Sequence, residues 1–318
     1  MLKRIGRILR APMALVLLLS VLLALCSCTN IFSKIPKFTV KDTLADGGGK
    51  KATVILLAGQ SNAAGCSQDA YLKQNVSEEQ YAEYEAGYDN VYINYYVSGT
   101  NASDAFVKCT VRQGEAAGGD YFGPELGMAQ KLSESRPDEL FFIIKYTWSG
   151  TALYDLWLSP SSKGKTGQLF NPFIGFVRSS MEYLLSKNYD VEIGGMCWMQ
   201  GESDSFLEES YSTYGTNLTN FIKDMRSMLA PYAAEGGIAF IDALIADLPA
   251  YWVFGDIVNE KKKEVAASSQ LNVVIDTNAA GLTTANEPAE NPDRAHYDSM
   301  SEIKLGHLFA EHLLLFLD

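Results

Sequence analysis

The sequence predicts an α/β fold, a central and mostly parallel sheet covered by helices on both faces and built as a single domain. Two observations carry that prediction. Strand-like and helix-like segments alternate from about residue 52 to the end, and such alternation gives parallel strands joined by right-handed crossovers. Several of the strand-like runs are also short, continuously apolar and closed by glycine or a polar turn, the pattern of strands buried on both faces. No internal repeat or low-complexity linker divides the body of the 318-residue chain. A composition of 47% hydrophobic and 20% charged residues supplies an ordinary globular core.

The first run, Thr53 to Ala58, enters Gly59-Gln60-Ser61-Asn62 and then the small residues Ala63, Ala64 and Gly65. Loops at the carboxyl ends of strands are where open α/β sheets bind ligands. A serine on such a loop, with a helix following, has backbone N–H groups nearby to receive a developing oxyanion. Alternatively, Ser61 only caps that helix. Gln68 to Tyr88 is acidic and weakly helical, Val91 to Val97 (VYINYYV) is a strand, and Ala105 to Val111 is a candidate for another. Gly123-Pro124-Glu125 opens a helix to about Ser135, with proline in its first turn. Glu139 to Tyr146 (ELFFIIKY) is the second buried strand, with Trp148-Ser149-Gly150-Thr151 at its carboxyl end.

Asn171 to Lys187 is an amphipathic helix, and Val191 to Met199 (VEIGGMCWM) a third strand ending in Gln200-Gly201-Glu202-Ser203-Asp204. A long helix covers Phe206 to Leu229, followed by a strand from Ile238 to Leu244, a helix from Glu260 to Ser269 and a short strand from Asn272 to Ile275. A polar, proline-bearing loop from Thr277 to Arg294 precedes His296. Ser299-x-x-Glu302 has the capping-box pattern and starts a last apolar helix to Leu317.

The N-terminus stands outside this pattern. Lys3, Arg4, Arg7 and Arg10 precede the apolar run Met13 to Leu25, too short for an ordinary membrane span and of normal length for a signal-peptide core. Leu25-Cys26-Ser27-Cys28 resembles a bacterial lipoprotein signal. Residues 1–27 are therefore expected to be a signal peptide, with Cys28 lipidated and first in the mature chain. Cys26 stays open as the alternative acceptor, and an uncleaved signal anchor as the alternative to both. Either way the protein is expected to be exported and held at the cell membrane, at the cell surface or in the periplasm. Residues 28–51, ending in Gly47-Gly48-Gly49, are expected to be a tether, and 52–318 the domain.

Beyond residue 27 the chain carries 22 basic against 38 acidic residues, a formal charge of −16. Such a body repels phosphates, so neither nucleic acid nor an anionic lipid surface is an expected partner. Cys66, Cys109 and Cys197 remain in the body, and an odd number leaves at least one thiol unpaired. Cys197 lies in an apolar strand and is expected to be a buried thiol, whereas a Cys66–Cys109 bridge stays open. No Cys-x-x-Cys or His-x-x-His spacing points to a structural zinc site.

The three histidines are His296, His307 and His312. The last two fall inside the apolar terminal helix and suit a packing role. His296 ends a polar loop three residues after Asp293, and Asp-x-x-His lets a carboxylate reach Nδ1 across one turn while Nε2 faces outward. A serine hydroxyl needs such a base to become a nucleophile. The sheet brings the loop after the first strand and the loop before the last helix to one edge. The order is Ser…Asp…His, but the turn is not an α/β-hydrolase elbow: Gly59-Gln60-Ser61-Asn62-Ala63 lacks the second glycine of G-x-S-x-G, and its serine follows the first strand.

GQSN at 59–62, GPELG at 123–127, WSGTALYDLW at 148–157, WMQGESD at 198–204 and DRAH at 293–296 occur in one order. Together they resemble the SGNH-hydrolase superfamily, in its branch of sialate O-acetylesterases and acetylxylan esterases, over roughly residues 52–315. The resemblance implies a three-layer α/β/α sandwich (SGNH/flavodoxin-like) that deacetylates sugars with no metal and no cofactor. It implies Ser61 as nucleophile, His296 as general base and Asp293 as its orienting carboxylate. An oxyanion hole is implied from the Ser61 N–H, Gly150 and Gln200, with Glu202 and Asn62 in support. Glu202 is a rival orienter of His296 or else only fixes a loop. Trp148, Tyr154 and Trp157 either stack on sugar or belong to the core. The expected substrate is an acetylated carbohydrate, on a xylan-type glycan or on sialic acid. The alternatives are a glycan-binding lipoprotein without catalysis and a lipase-like member of the superfamily.

Overall fold

A computed structural model describes residues 35–115 and 120–317. The elements run β1 (Lys51–Gly59), α1 (Ser61–Ala64), β2 (Ser67–Gln68), α2 (Asp69–Asn75), α3 (Glu78–Ala86), β3 (Val91–Val97), β4 (Asn101–Ala102), β5 (Val107–Lys108) and β6 (Tyr121–Phe122). After these come α4 (Pro124–Ser135), β7 (Leu140–Thr147), α5 (Phe170–Ser186), β8 (Asp190–Met199), α6 (Glu208–Leu229), β9 (Ala239–Ala243), α7 (Gly255–Ala267), β10 (Asn272–Ile275) and α8 (Ser299–Leu314).

The main sheet has the order β10-β9-β8-β1-β7-β3-β4, with β5 also on β3. All pairings from β10 through β3 are parallel, and only the two-residue β4 and β5 are antiparallel. β1 therefore lies between β7 and β8: the chain steps out to β3, returns to β7 beside β1, then crosses to β8 and runs outward through β9 to β10. The flavodoxin order instead sets the first strand beside the second. Val54 through Ala58 are fully buried although their side chains alternate between faces, so the sheet is covered on both sides. On one face β8 meets α8: a Cβ at Gly195 would lie 2.4 Å from Leu313 Cδ2. Trp198, of opposite parity, packs on Phe221 of α6 at a centroid distance of 4.7 Å. The layers are those of the expected three-layer sandwich.

Two expectations shift. The helix after Ser61 is a single turn, because Gly65 leaves it at φ +88° where a Cβ would meet the Gly123 backbone at 2.3 Å. Residues 35–50, expected within a free tether, lie on the domain. Phe38 sits edge-on to Tyr96 and Phe176, its N–H donates to Ser179 Oγ at 3.0 Å, and Thr43 Oγ1 donates to the Phe106 carbonyl at 2.8 Å. The apolar Ile35, Phe38, Val40 and Leu44 are reason enough for a strap rather than a solvated linker. Residues 1–34, with the signal segment and Cys28, lie outside the described residues. Cys66, Cys109 and Cys197 are all free thiols, which closes the question of a bridge.

Candidate active site

The turn carrying Ser61 is built by close backbone packing. Gly59 has φ +140°, and a Cβ there would stand 1.9 Å from the Met199 carbonyl oxygen, so only glycine lets β1 end against β8. The Gln60 N–H then donates to that same carbonyl at 2.9 Å. The far end of α1 is fixed by Lys145, a fully buried residue of β7. Its ammonium donates to the carbonyls of Ala64 (2.9 Å) and Gln113 (3.0 Å) and to Glu125 Oε2 (2.7 Å). Ser61 is 9% exposed.

His296 arrives on the loop between β10 and α8. The Asp298 carboxylate accepts from the Glu287 N–H at 2.9 Å, from both Asn286 nitrogens and from Thr283 Oγ1. Glu287 in turn accepts from the Ser299 N–H and hydroxyl, each at 2.7 Å. At the tip Asp293 Oδ2 lies 2.7 Å from His296 Nδ1, as the spacing predicted. Burial acts to raise the Asp293 pKa, but the hydrogen bonds from His296 and the Ala295 N–H leave it below the ordinary value.

Asn62 joins the two halves. Its Oδ1 accepts from the Tyr297 N–H at 3.1 Å and its Nδ2 donates to the Ala295 carbonyl at 3.5 Å, so one side chain holds the backbone on both sides of His296. Nδ2 also donates to Glu202 Oε1 at 2.8 Å. Glu202 is buried with that bond, while Asp293 makes the imidazole contact. Glu202 therefore acts on the loop through Asn62. Burial raises its pKa, against the pull of Asn62, Lys262 and His296. No hydrogen bond joins Ser61 Oγ to the imidazole among the described residues. A cavity of about 70 Å³ lined by Cys66, Tyr71, Tyr121 and Pro288 lies beside His296. Burial pushes the Cys66 thiol up, so it stays protonated there.

The expected oxyanion residues divide. Gly150 is exposed, at φ +68° with open space where a side chain would stand. Gln200 departs from expectation. Its amide nitrogen already donates to Asp204 Oδ2 (2.6 Å) and the Thr151 carbonyl (3.0 Å), and its oxygen accepts from Tyr214 (3.1 Å). Both amide hydrogens are spent on structure, because a buried amide cannot be left unpaired cheaply. Asp204, which the sequence did not single out, clamps the Gly150 loop by accepting from the Leu153 and Tyr154 N–H groups at 2.7 and 3.0 Å. Burial raises its pKa to about 6. Trp157 is wholly buried against Trp198 and Phe173, its indole donating to Thr151 Oγ1 at 2.8 Å, so it belongs to the core and not to a sugar site. Trp148 is partly exposed and leans on Tyr96. His307 meets Gln130 at 2.8 Å in a packing role. Among the described residues no group of three or more His, Cys, Asp or Glu side chains is placed to hold a metal ion.

In solved structures the fold recurs. NanS matches with a TM-score of 0.62 and 15% identity, over 86% of this chain and 99% of its own. A protein from Arabidopsis thaliana matches with a TM-score of 0.59 and 19% identity, over 83% and 98%. A carbohydrate acetylesterase from Xanthomonas citri matches with a TM-score of 0.54 and 17% identity, over 81% of this chain and 55% of its own. No curated protein matches the chain. The family model described as carbohydrate esterase, sialic acid-specific acetylesterase, matches residues 51–315, and the chain belongs to that family.

Proposed function

We propose that the carbohydrate O-acetylesterase activity of this family is carried here by Ser61, His296 and Asp293 through an acetyl-enzyme. The observation that supports it is the Asn62 bridge, which ties the nucleophile's neighbour to both flanks of a histidine already paired with a carboxylate. Ser61 Oγ attacks the acetyl carbonyl carbon as His296 Nε2 takes its proton. The tetrahedral oxyanion is received by the N–H groups of Ser61 and Gly150, preset donors of the kind worth about 10²–10³ in rate each. The intermediate collapses, the C–O bond to the sugar breaks, and the imidazolium protonates the departing hydroxyl. Water then attacks the acetyl-serine with His296 again as base, releasing acetate and restoring Ser61. Asp293 holds the imidazole tautomer throughout.

The test is acetate release from acetylated xylan, acetylated sialic acid and a chromogenic acetate. Wild type should be active, and Ser61→Ala and His296→Ala should each lose about 10⁴-fold or more. Retention of activity by Ser61→Ala would overturn the assignment.

We further propose that the chain is exported and anchored through a lipid on Cys28, on the strength of the basic, apolar and cysteine-bearing N-terminus. Intact mass of the membrane-extracted protein should show loss of residues 1–27 and a diacylglyceryl addition. Cys28→Ser should abolish both.

A further inference from the structure

Large hydrophobic side chains on the surface concentrate at one place beside the site. Tyr154 (39% exposed), Phe206 (47%), Leu207 (61%), Tyr251 (44%), Val253 (53%) and Phe254 (36%) fall on the loops that follow β7, β8 and β9. These loops touch one another. Phe206 meets Trp252 edge-on at 5.9 Å, Tyr251 meets Trp252 at 6.3 Å, and the Phe254 N–H donates to the Ser205 carbonyl at 3.0 Å. The Tyr154 N–H is held by Asp204. The loop after β8 reaches the serine turn, since the Ser203 N–H lies 3.4 Å from Gln60 Oε1. The rim is thus continuous with the edge that carries Ser61. Isolated surface apolar residues need no explanation, but a contiguous patch does.

We infer that this rim binds neutral sugar units flanking the acetylated one, so that the enzyme works on an extended glycan rather than on a free monosaccharide. Three features choose that occupant. The rings offer π faces, whose negative charge complements the apolar, slightly positive C–H face of a pyranose. The cavity of about 240 Å³ beside Trp252 is bordered by Asp247 and Asp256, which accept hydrogen bonds from hydroxyl groups. No lysine or arginine lines it, and carboxylates repel anionic sugars and lipid phosphates alike, which disfavours both a sialic acid unit and an anionic membrane there.

The inference rests on the acetylesterase reading for its kinetic arm and is independent of it in its binding arm. For kinetics, kcat/KM is measured on a chromogenic acetate, an acetylated xylose and acetylated xylo-oligosaccharides. Wild type should prefer the oligosaccharides. Phe206→Ala and Trp252→Ala should each lower the oligosaccharide-to-chromogenic ratio about tenfold, chiefly through KM, as expected for one stacked ring. For binding, Ser61→Ala is titrated with unacetylated xylo-oligosaccharide and its tryptophan fluorescence followed. A saturable change should appear, and Phe206→Ala should weaken it. No chain-length preference together with no fluorescence change would overturn the rim, as would rim-dependent flotation with phosphatidylcholine vesicles without any oligosaccharide response. Absence of hydrolysis with fluorescence binding intact would instead count against the esterase mechanism and leave the rim standing. Unchanged melting temperatures exclude misfolding of the variants.

Discussion

The serine turn and the histidine loop reach the same edge by opposite means. Ser61 leaves the central strand of the sheet, and its position follows from glycine backbone contacts and a buried lysine. His296 is held by hydrogen bonds among Asp298, Glu287, Thr283 and Asn286, on a loop whose Asp293 side chain is half exposed. One half of the site is part of the core, whereas the other is a polar loop held to it by Asn62 and by the Ser67 hydroxyl, which donates to the Tyr297 carbonyl at 2.6 Å. Perturbing the first should unfold the protein, and perturbing the second should cost rate before stability.

The largest stability effect is expected at Lys145→Met. It leaves the Glu125 carboxylate buried without its cation, and breaking such a pair costs about 3–5 kcal/mol. Urea denaturation should show the loss. A variant of normal stability would mean that the serine turn does not depend on the core. Next comes Asn62→Ala, which frees both flanks of His296. It should lower kcat about 10²-fold, the typical result of a small misplacement, while the unpaired Glu202 costs about 1–3 kcal/mol. Glu202→Gln keeps an acceptor for Asn62 and should recover most of the rate that Glu202→Ala loses. Equal losses in the two would sink the role given to that bond.

Asp298→Ala should open the loop locally. Amide exchange at Asn286 and Glu287, whose N–H groups Asp298 accepts, should rise while exchange in β1 stays unchanged. The smallest effect concerns acid. Because the Asp293 pKa lies below its ordinary value of 3.8 when folded, the pair with His296 adds stability above that pH. That contribution is lost as pH falls through the lower folded value. Thermal melting should therefore show a shallower acid decline below pH 4 for Asp293→Asn, and an identical slope would deny the coupling.

The sequence made the sheet half of this comparison legible. Continuous apolar runs and glycine stops locate β1, β7 and β8, and Gly59-Gln60-Ser61 marks the turn without any tertiary information. The Asp293-x-x-His296 spacing likewise sufficed for their contact, which is local. What stayed hidden depends on distant partners. Lys145 sits in an apolar run with nothing to announce that it reaches Ala64. Gln200 looked free until Asp204 and Thr151 were placed beside it. Trp157 gave no sign of its burial, because helix and sheet packing rather than local pattern decides it. The surface rim is likewise absent from the sequence, since Phe206 and Trp252 become neighbours only when the ends of β8 and β9 align.

The most direct test is covalent. The protein is treated with an organophosphonate that mimics the tetrahedral acyl intermediate, and the modified peptide is identified by mass spectrometry in wild type, His296→Ala and Asn62→Ala. The adduct should fall on Ser61 alone, form far more slowly without the imidazole, and slow by an intermediate factor without the amide. Labelling at another residue, or labelling of Ser61 at an unchanged rate in His296→Ala, would contradict a site in which that serine and that histidine work as one unit.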